Sequence, residues 1–299
     1  MSLVDEILKL KKERNAVILS HLYQDGEIQG IADYVGDSLG LSQQAAATDA
    51  DVIVFCGVHF MAESAAILSP DKIVLLPEIS AGCPMADMVT EESLRRKKEE
   101  IPDAIVVCYV NTTAGVKALC DIACTSSNAE NVIRSLPPDR PILFVPDKNL
   151  GSYIINKTGR EMILWDGFCV THDQLSAAQV AAVQREHPDA LTMVHPECRP
   201  DVVALADVVS STTGMINYAK ESPARKFIVG TEMGILYPLQ NACPDKEFIL
   251  ASEALVCREM KKTTLEKVHL ALKNMAPRVE VPREVGEKAV QCLDKMLAL

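Results

Sequence analysis

The sequence predicts an α/β protein in which one unit is repeated three times, with short parallel sheets arranged around a shared central site. Three observations lead to this fold class. Short apolar runs rich in valine and isoleucine alternate with helical stretches along all 299 residues. Similar polar residues recur at intervals of 85 to 88 residues, and three cysteines recur at the same interval. A long, fixed period is typical of a structural unit copied along the chain.

The predicted strands are continuous apolar runs without polar alternation, which is the pattern of parallel strands covered by helices on both faces. Most of them lead into a polar residue or glycine and then into a helical stretch. The nine runs lie at 16–19, 52–55, 73–76, 105–110, 142–145, 162–164, 191–194, 227–229 and 248–250.

The first set of recurring residues follows the first strand of each unit. Each unit contributes two polar side chains spaced two apart, with offsets of 88 and 86 residues between units. Because side chains two apart in a strand share a face, each pair points the same way. The pairs are His21 with Tyr23, Tyr109 with Asn111, and His195 with Glu197.

Two further sets keep nearly the same period. The hydroxyl residues Ser38, Ser126 and Thr212 stand where a strand-like segment passes into a helix. An aspartate precedes each of them at Asp33, Asp121 and Asp207. The last set is His59, Asp147 and Glu232, after the strands at 52–55, 142–145 and 227–229.

The repeat divides the chain into predicted units at 1–85, 86–171 and 172–299, the last of which carries a C-terminal helix. Three such βαβαβ units pack most simply around a pseudo-threefold axis. In open parallel sheets, ligands bind beyond the carboxyl ends of the strands, where the recurring polar residues lie. We therefore expect one pocket at the centre of the three units.

Bulk properties limit the functional classes. The formal net charge of −11 argues against nucleic acid or an anionic membrane as the main partner, because both are bound through clustered Lys and Arg. The sequence shows no signal peptide and no apolar run of about 20 residues that would span a membrane. Ten cysteines in such a chain indicate a reducing compartment, so we expect a cytoplasmic protein.

Three of the cysteines occupy equivalent places in the repeat. Cys83, Cys169 and Cys257 are separated by 86 and 88 residues, and each follows the last predicted strand of its unit. Structural zinc prefers four closed ligands, often in CxxC pairs, and the chain has no such pair. A [4Fe–4S] cluster on three cysteines leaves one iron open to substrate. The spacing favours the cluster over zinc, and three buried structural cysteines remain an alternative.

The other cysteines carry weaker signals. Cys56 and Cys108 lie within apolar strands and are predicted to be core residues. Cys120 and Cys124, four residues apart, are a candidate redox or metal pair. The remaining three have no partner at a useful spacing; they are Cys198, Cys243 and Cys292.

With these residues identified, the sequence strongly resembles the quinolinate synthase family of de novo NAD biosynthesis. The resemblance spans nearly the whole chain and rests on nine motifs in the same order. They are Asp33-Tyr34-Val35-Gly36-Asp37-Ser38-Leu39, Gly57-Val58-His59-Phe60-Met61-Ala62-Glu63, Cys83-Pro84-Met85-Ala86, Tyr109-Val110-Asn111-Thr112-Thr113, Thr125-Ser126-Ser127-Asn128-Ala129, Pro146-Asp147-Lys148-Asn149-Leu150, Gly167-Phe168-Cys169-Val170-Thr171-His172, Val194-His195-Pro196-Glu197-Cys198, and Cys257 followed by Met260-Lys261 and Thr264-Leu265.

The resemblance implies three αβα units in a triangle and a [4Fe–4S] cluster on Cys83, Cys169 and Cys257. It implies condensation of iminoaspartate with dihydroxyacetone phosphate to quinolinate, with loss of phosphate and two waters. An aspartate oxidase or dehydrogenase would supply the imine. For proton transfer the resemblance points to Glu197, assisted by His195.

The resemblance also assigns roles to the rest of the pocket. It suggests hydrogen-bonding or relay roles for Tyr23 and Tyr109, and a cluster-orienting or substrate-contacting role for His172. The groups that would hold carboxylates and phosphate are His21, Ser38, Asn111, Ser126 and Thr212. One departure stands out, because the family commonly has His-Asn-Tyr where this chain has His21-Leu22-Tyr23. Neighbouring side chains in a strand point to opposite faces, so Leu22 is expected to face away from the pocket.

Two other functions fit part of the pattern. One is a different three-cysteine [4Fe–4S] hydro-lyase acting on a hydroxy acid, although the phosphate-suited hydroxyl residues argue mildly against it. The other is a non-catalytic iron–sulfur carrier, but such carriers usually bind clusters through four cysteines in compact runs.

Overall fold

The computed structural model describes residues 2–299, in which twelve short strands form three parallel four-stranded sheets. The expected α/β class with three similar units is confirmed. We call the units first, second and third after their sheets, which span residues 16–75, 105–164 and 191–250.

The first unit opens with a helix whose N-terminal capping box is formed by Ser2 and Asp5. Its strands are β1 (Ala16–His21), β2 (Tyr34–Gly36), β3 (Val52–Cys56) and β4 (Ile73–Leu75). Its helices are α1 (Leu3–Glu13), α2 (Gly26–Ile31), α3 (Ser38–Ala47) and α4 (His59–Leu68).

The second unit repeats this order. Its strands are β5 (Ile105–Tyr109), β6 (Ile122–Cys124), β7 (Ile142–Val145) and β8 (Ile163–Leu164). Its helices are α5 (Glu91–Glu100), α6 (Ala114–Lys117), α7 (Ala129–Ser135) and α8 (Lys148–Thr158).

The third unit follows the same plan with one additional short helix after Cys169. Its strands are β9 (Leu191–Val194), β10 (Val208–Val209), β11 (Lys226–Gly230) and β12 (Glu247–Leu250). Its helices are α9 (Val170–Asp173), α10 (Ala177–Glu186), α11 (Pro200–Val203), α12 (Thr212–Glu221) and α13 (Leu236–Ala242). Two more helices complete the chain: α14 (Leu265–Asn274) and α15 (Arg283–Leu297).

The three sheets share one topology. Their strand orders are β2-β1-β3-β4, β6-β5-β7-β8 and β10-β9-β11-β12, so the first strand of each unit lies inside its sheet. All strand pairs within the sheets are parallel. The carboxyl ends of the strands in each sheet therefore lie at one edge.

The recurring aspartates show the repeat at the level of single hydrogen bonds. In each unit the carboxylate accepts a hydrogen bond from a backbone N–H of the first strand, at 2.8 Å in all three cases. The pairs are Asp33 with Ile18, Asp121 with Val106, and Asp207 with Thr192. Each aspartate thus satisfies a buried backbone donor and fixes the turn that leads to the second strand.

Each of the three units was predicted to have three strands, whereas each sheet has one additional short strand. The strands β2, β6 and β10, which the sequence pattern missed, are two or three residues long and lie at sheet edges. The cysteines Cys83, Cys169 and Cys257 consequently follow the fourth strand of each unit.

The two C-terminal helices pack away from the third unit. On α14, Val268 and Leu272 pack in an apolar cluster with Ile7 and Ile18 of the first unit. On α15, Leu293 belongs to a core cluster shared by the first and second units. The boundaries 1–85, 86–171 and 172–299 stay a prediction, but these helices connect the end of the chain to its first two units. Within residues 2–299, no helix is both long enough and apolar enough to cross a bilayer.

Candidate active site

One cavity lies between the three units, at the carboxyl ends of their strands. Every residue that the sequence singled out for this site contributes to its wall. These residues are His21, Tyr23, Ser38, Cys83, Tyr109, Asn111, Ser126, Cys169, His172, His195, Glu197, Thr212 and Cys257. Asp37, Thr125 and several apolar side chains from the segments around Phe60 and Met85 complete the lining.

The strand ends explain this convergence. His21 is the last residue of β1, Tyr109 is the last residue of β5, and His195 directly follows β9. The residues two positions further on point to the same side, and the rings of His21 and Tyr23 meet edge to face with centroids 4.6 Å apart. The backbone N–H of Tyr23 donates to His21 Nδ1 at 3.1 Å, which orients that ring.

Leu22 faces away from the pocket, as the alternation of the strand predicts. Its side chain is 3 % exposed and packs in an apolar cluster of the third unit with Met193 and Met215. The residue that departs from the family pattern therefore joins the first unit to the third and leaves His21 and Tyr23 to line the cavity.

A continuous hydrogen-bonded chain runs through the pocket. The hydroxyl of Tyr23 lies 2.7 Å from Thr231 Oγ1, and Thr231 Oγ1 lies 2.8 Å from His172 Nε2. On the other side of the ring, His172 Nδ1 lies 2.7 Å from Glu197 Oε2. Thr231 is fully buried and was not identified from the sequence, because its only signal was its place directly before Glu232 in the repeat.

The direction of this chain follows from the charge of Glu197. Burial alone would raise the pKa of Glu197, but its contacts with His195 and His172 and the hydrogen bonds that His172 and Tyr109 donate hold it at about 2. The carboxylate can only accept, so His172 Nδ1 carries the proton and, in the neutral ring, Nε2 accepts from the Thr231 hydroxyl. Thr231 in turn accepts from Tyr23.

The tyrosines remain protonated donors. Burial, together with the charge of Glu197, raises the pKa of Tyr23 and that of Tyr109 well above the usual value near 10. Tyr109 also hydrogen-bonds to the side chain of Glu197. The carboxylate therefore lies between a phenol and an imidazole, both of which donate to it.

His195 and His21 are buried as neutral imidazoles. Burial lowers the pKa of His195 to about 3, although the charge of Glu197 partly offsets this shift. Burial likewise lowers the pKa of His21 to about 4, with a partial offset from the charge of Asp37. His195 Nδ1 accepts from the Glu197 backbone N–H at 3.3 Å, so Nε2 donates to Ser126 Oγ at 3.2 Å. The His195 ring stacks on His172 with centroids 4.8 Å apart.

Two members of the hydroxyl set lie where anions are favoured, whereas Ser126 lies in a turn three residues before α7 (Ala129–Ser135). Ser38 and Thr212 are the first residues of α3 and α12, two helices of ten residues each. Unpaired backbone N–H groups and the helix dipole attract negative charge at such positions. Nearby, Asn111 Oδ1 is buried without a hydrogen-bond partner in the described structure, so it faces the cavity as a free acceptor.

Two other residues were missed by the sequence reasoning. Asp37 caps α3 through Gly40 N at 3.0 Å and accepts from Ser127 Oγ at 2.7 Å, which joins the first and second units beside the pocket. Lys117 is fully buried and donates to the backbone carbonyls of Val110 and Thr112. It thereby holds the loop that carries Asn111. Neither has a periodic signal: the contact of Asp37 with Ser127 joins segments that meet only in the fold, and the Lys117 contacts lie within one loop of the second unit.

The three equivalent cysteines line the cavity as free thiols. Burial raises the pKa of the Cys83 thiol to about 12 and those of the other two above their usual range, so thiolates here need a cationic centre beside them. Among residues 2–299, ligand atoms close enough for one metal ion group only Cys169, His172 and Glu197. The three cysteine sulfurs are spread too widely for one ion, which fits a cluster of several irons.

Two of the remaining cysteines follow the prediction and one needs a correction, while the candidate pair of Cys120 and Cys124 stays a prediction. Cys56 and Cys108 are fully buried core residues. Cys292, which has no partner by sequence spacing, has one in space, since its Sγ lies 3.5 Å from Cys108 Sγ. The two sulfurs meet because α15, the C-terminal helix that carries Cys292, packs on the second unit. Cys120 hydrogen-bonds to Val116 O and also to Cys108.

Together, fold and site define a class of α/β proteins in which three similar units gather three cysteines and a buried hydrogen-bonded network around one pocket. The chain belongs to the quinolinate synthetase A family, because the model of that family, described as "Quinolinate synthetase A protein", matches residues 5–298.

Curated relatives extend the match over both full lengths. The quinolinate synthase of Desulforudis audaxviator is 58% identical over 297 residues, covering 99% of this chain and 98% of the relative. That of Geobacter metallireducens is 58% identical over 294 residues, covering 98% and 96%. An archaeal quinolinate synthase from Methanosarcina barkeri is 54% identical and covers 99% and 97%. The resemblance drawn from the motifs is thus confirmed.

Proposed function

We propose that this chain is a quinolinate synthase of NAD biosynthesis that condenses iminoaspartate with dihydroxyacetone phosphate and releases phosphate and two waters. The observation that carries the proposal is the meeting of Cys83, Cys169 and Cys257, one from each unit, with a buried proton-transferring network in one cavity. The names of relatives that match over nearly their full length support the same activity.

The three cysteines are the residues that would hold a [4Fe–4S] cluster. An iron without a protein ligand supplies Lewis-acid chemistry, which polarises an oxygen that must leave carbon. His172 lies beside this position, with Nδ1 3.2 Å from Cys169 Sγ. The protein groups that act on substrate and those that would hold the cluster are therefore in contact.

Proton transfer is assigned to the chain of residues that ends at Glu197. A carboxylate with a pKa near 2 is a weak base by itself, so Glu197 acts mainly by stabilising the positive charge that His172 acquires. Because the Tyr23 phenol stays protonated, the substrate proton moves in a concerted shift. Tyr23 accepts it from carbon as its own proton passes through the Thr231 hydroxyl to His172 Nε2. His195 is held neutral and contributes a hydrogen bond through Ser126.

Substrate binding is assigned to the polar groups around this chain. The hydroxyls of Ser38, Ser126 and Thr212 and the helix N-termini suit carboxylates and phosphate. Asn111 Oδ1 needs a donor, and a hydroxyl or imine N–H of the substrate would satisfy it. Because the lining groups are buried, closure around the substrate keeps a reactive imine away from water.

Two expectations about cellular context accompany the proposal. The imine is short-lived in water, so an enzyme that oxidises aspartate, either an oxidase or a dehydrogenase, must act alongside this protein. The reducing environment that an iron–sulfur cluster needs is that of the cytoplasm.

The proposal is tested by supplying anaerobically prepared protein with dihydroxyacetone phosphate and iminoaspartate generated in situ, and measuring quinolinate by chromatography. Wild-type protein is expected to form quinolinate and not to dehydrate simple hydroxy acids. Dehydration of a hydroxy acid without quinolinate formation would assign the site to a different hydro-lyase. A cluster-containing protein with neither activity would contradict the proposal.

A further inference from the structure

The third set of recurring residues, His59, Asp147 and Glu232, has no part in the proposed chemistry. In the second and third units the member of this set is a buried carboxylate. Asp147 comes two residues after β7, and Glu232 two residues after β11. Each stands next to the loop that carries the cysteine of its own unit.

Glu232 is fully buried and uses both carboxylate oxygens. Oε2 accepts from the backbone N–H of Gly234 at 2.7 Å, and Oε1 accepts from the backbone N–H of Cys257 at 3.1 Å. Lys261 Nζ lies 3.2 Å from the same Oε1. The carboxylate therefore fixes the backbone of a cysteine loop, with one lysine as its counter-charge.

Lys261 also reaches into the first unit. Its Nζ donates to the carbonyl oxygen of Tyr23 at 2.6 Å and lies 3.2 Å from Asp25 Oδ1. The two segments are in direct contact, because a Cβ added to Gly234 would come within 2.7 Å of the Tyr23 carbonyl carbon. A continuous path thus joins Cys257 to Tyr23 through one ion pair.

The second unit has a similar arrangement. Asp147 Oδ1 accepts from the backbone N–H groups of Asn149 and Leu150 at 2.8 and 2.9 Å. The Cys169 backbone N–H lies near this carboxyl group and partly offsets the rise in its pKa that burial causes, but Oδ2 has no hydrogen-bond partner among residues 2–299. In the first unit His59 pairs instead with Glu63 at 3.8 Å, and the loop of Cys83 is held by Glu259, whose Oε2 accepts from Gly82 N at 2.9 Å.

We propose that Glu232 and Lys261 are positioning residues that hold the Cys257 loop and Tyr23 at a fixed separation. This inference rests on the proposed function, because the positions of Cys257 and Tyr23 matter only if the cavity holds a cluster and transfers protons. Some residues hydrogen-bond to metal-binding residues without contacting the metal themselves. Removing such a residue typically lowers metal affinity or activity about 10- to 100-fold. The pair meets this description because Glu232 contacts the cysteine loop and Lys261 contacts the loop of the relay tyrosine.

The two residues are expected to have separable effects. In Glu232→Gln the amide NH₂ must face either the Gly234 or the Cys257 N–H, so one of these hydrogen bonds is lost. In Lys261→Met the Cys257 hydrogen bond to Glu232 remains, but the tie to Tyr23 is removed. Glu232→Gln should weaken cluster retention, whereas Lys261→Met should slow proton transfer.

The experiment compares anaerobically prepared wild type, Glu232→Gln, Lys261→Met and the double variant. The matched control is Lys226→Met, which removes a lysine of the same unit that pairs with Glu247 at 3.4 Å outside the pocket. We measure iron release to a chelator, the electron paramagnetic resonance spectrum of the reduced cluster, and kcat and KM for quinolinate formation. Thermal unfolding of the apoprotein reports the fold of each variant.

Glu232→Gln and the double variant should release iron about 10- to 100-fold faster than wild type and show an altered spectrum. Lys261→Met should retain iron while kcat falls about 10- to 100-fold at unchanged KM. The double variant has no unpaired buried charge, so it tests positioning even where a single variant fails to fold. Variants that release iron and turn over like Lys226→Met would overturn this inference alone. Iron-free wild type would overturn the proposed function as well.

Discussion

Replacing Thr231 with valine tests the hydrogen-bonded chain at its centre. Valine has nearly the same shape as threonine but lacks the hydroxyl that bridges Tyr23 OH at 2.7 Å and His172 Nε2 at 2.8 Å. Thr231 is fully buried, so water does not reach the site to replace the missing group. The substitution leaves a phenol donor and an imidazole acceptor unpaired.

The size of the effect follows from these two groups. An unpaired buried donor or acceptor costs about 1–3 kcal/mol. Without the hydroxyl, Tyr23 loses its acceptor and His172 Nε2 loses its donor, so the path for proton transfer between them is broken. A loss of about 1–3 kcal/mol of transition-state stabilisation lowers kcat about 5- to 150-fold. KM should change little, because Thr231 does not line the cavity where substrate binds.

The assay is steady-state quinolinate formation by anaerobically prepared Thr231→Val, with Thr231→Ser as the matched control. Serine keeps the hydroxyl and is expected to retain most of the wild-type kcat. Equal iron content in all three proteins separates a relay defect from loss of the cluster. Wild-type turnover in Thr231→Val would refute the relay, and so would an equal loss in both variants.

Three further substitutions test other parts of the account. Glu197→Gln should lower kcat about 10²- to 10⁴-fold in the same assay, since the amide cannot stabilise charge on His172; turnover near wild type would remove Glu197 from the mechanism. Burial lowers the His21 pKa from 6.5 to about 4, so the unfolded state binds more protons in that interval. His21 should therefore contribute a fall of about 3 kcal/mol in apoprotein stability from pH 6.5 to 4, added to that from His195, and His21→Asn should lack this component in denaturant titrations. Leu22→Asn should destabilise by about 1–3 kcal/mol, because an amide enters an apolar cluster, whereas Leu22→Met should cost less than about 1.5 kcal/mol; equal costs for the two would contradict that packing.

Much of the fold could be predicted because the strands of this protein carry a strong local signal. Runs such as Ile142–Val145 are continuous, apolar and buried, and the structure has the same bounds. The missed edge strands are too short to show a pattern; Val208–Val209 has two residues and Tyr34–Gly36 ends in glycine. Their pairing depends on the neighbouring first strand and not on their own composition.

The candidate site could be found from the sequence because the repeat brings equivalent positions to equivalent places. A fixed offset places Tyr23, Asn111 and Glu197 two residues beyond the first-strand position in each unit, and the three line one cavity. Thr231 and Lys261 could not be found in this way. Their roles arise from contacts between different units, which have no counterpart in a periodic pattern.

The packing of the C-terminal helices also could not be predicted from the sequence. The repeat assigned the C-terminal helix to the third unit, but α15 buries Leu293 and Met296 in a core cluster with residues of the first and second units. Amphipathic periodicity predicts that a helix has an apolar face, but it does not say which surface that face covers.

The most direct test of the central claim is an anaerobic preparation analysed for iron, sulfide and visible absorption. Cys83→Ser, Cys169→Ser and Cys257→Ser are prepared in parallel, with Cys120→Ser as a control cysteine that lies outside the cavity. The account predicts about four irons per wild-type and control chain. It predicts that each of the three variants loses the cluster together with quinolinate formation. A colourless, iron-free wild-type protein after anaerobic reconstitution, or full activity in the three variants, would contradict it.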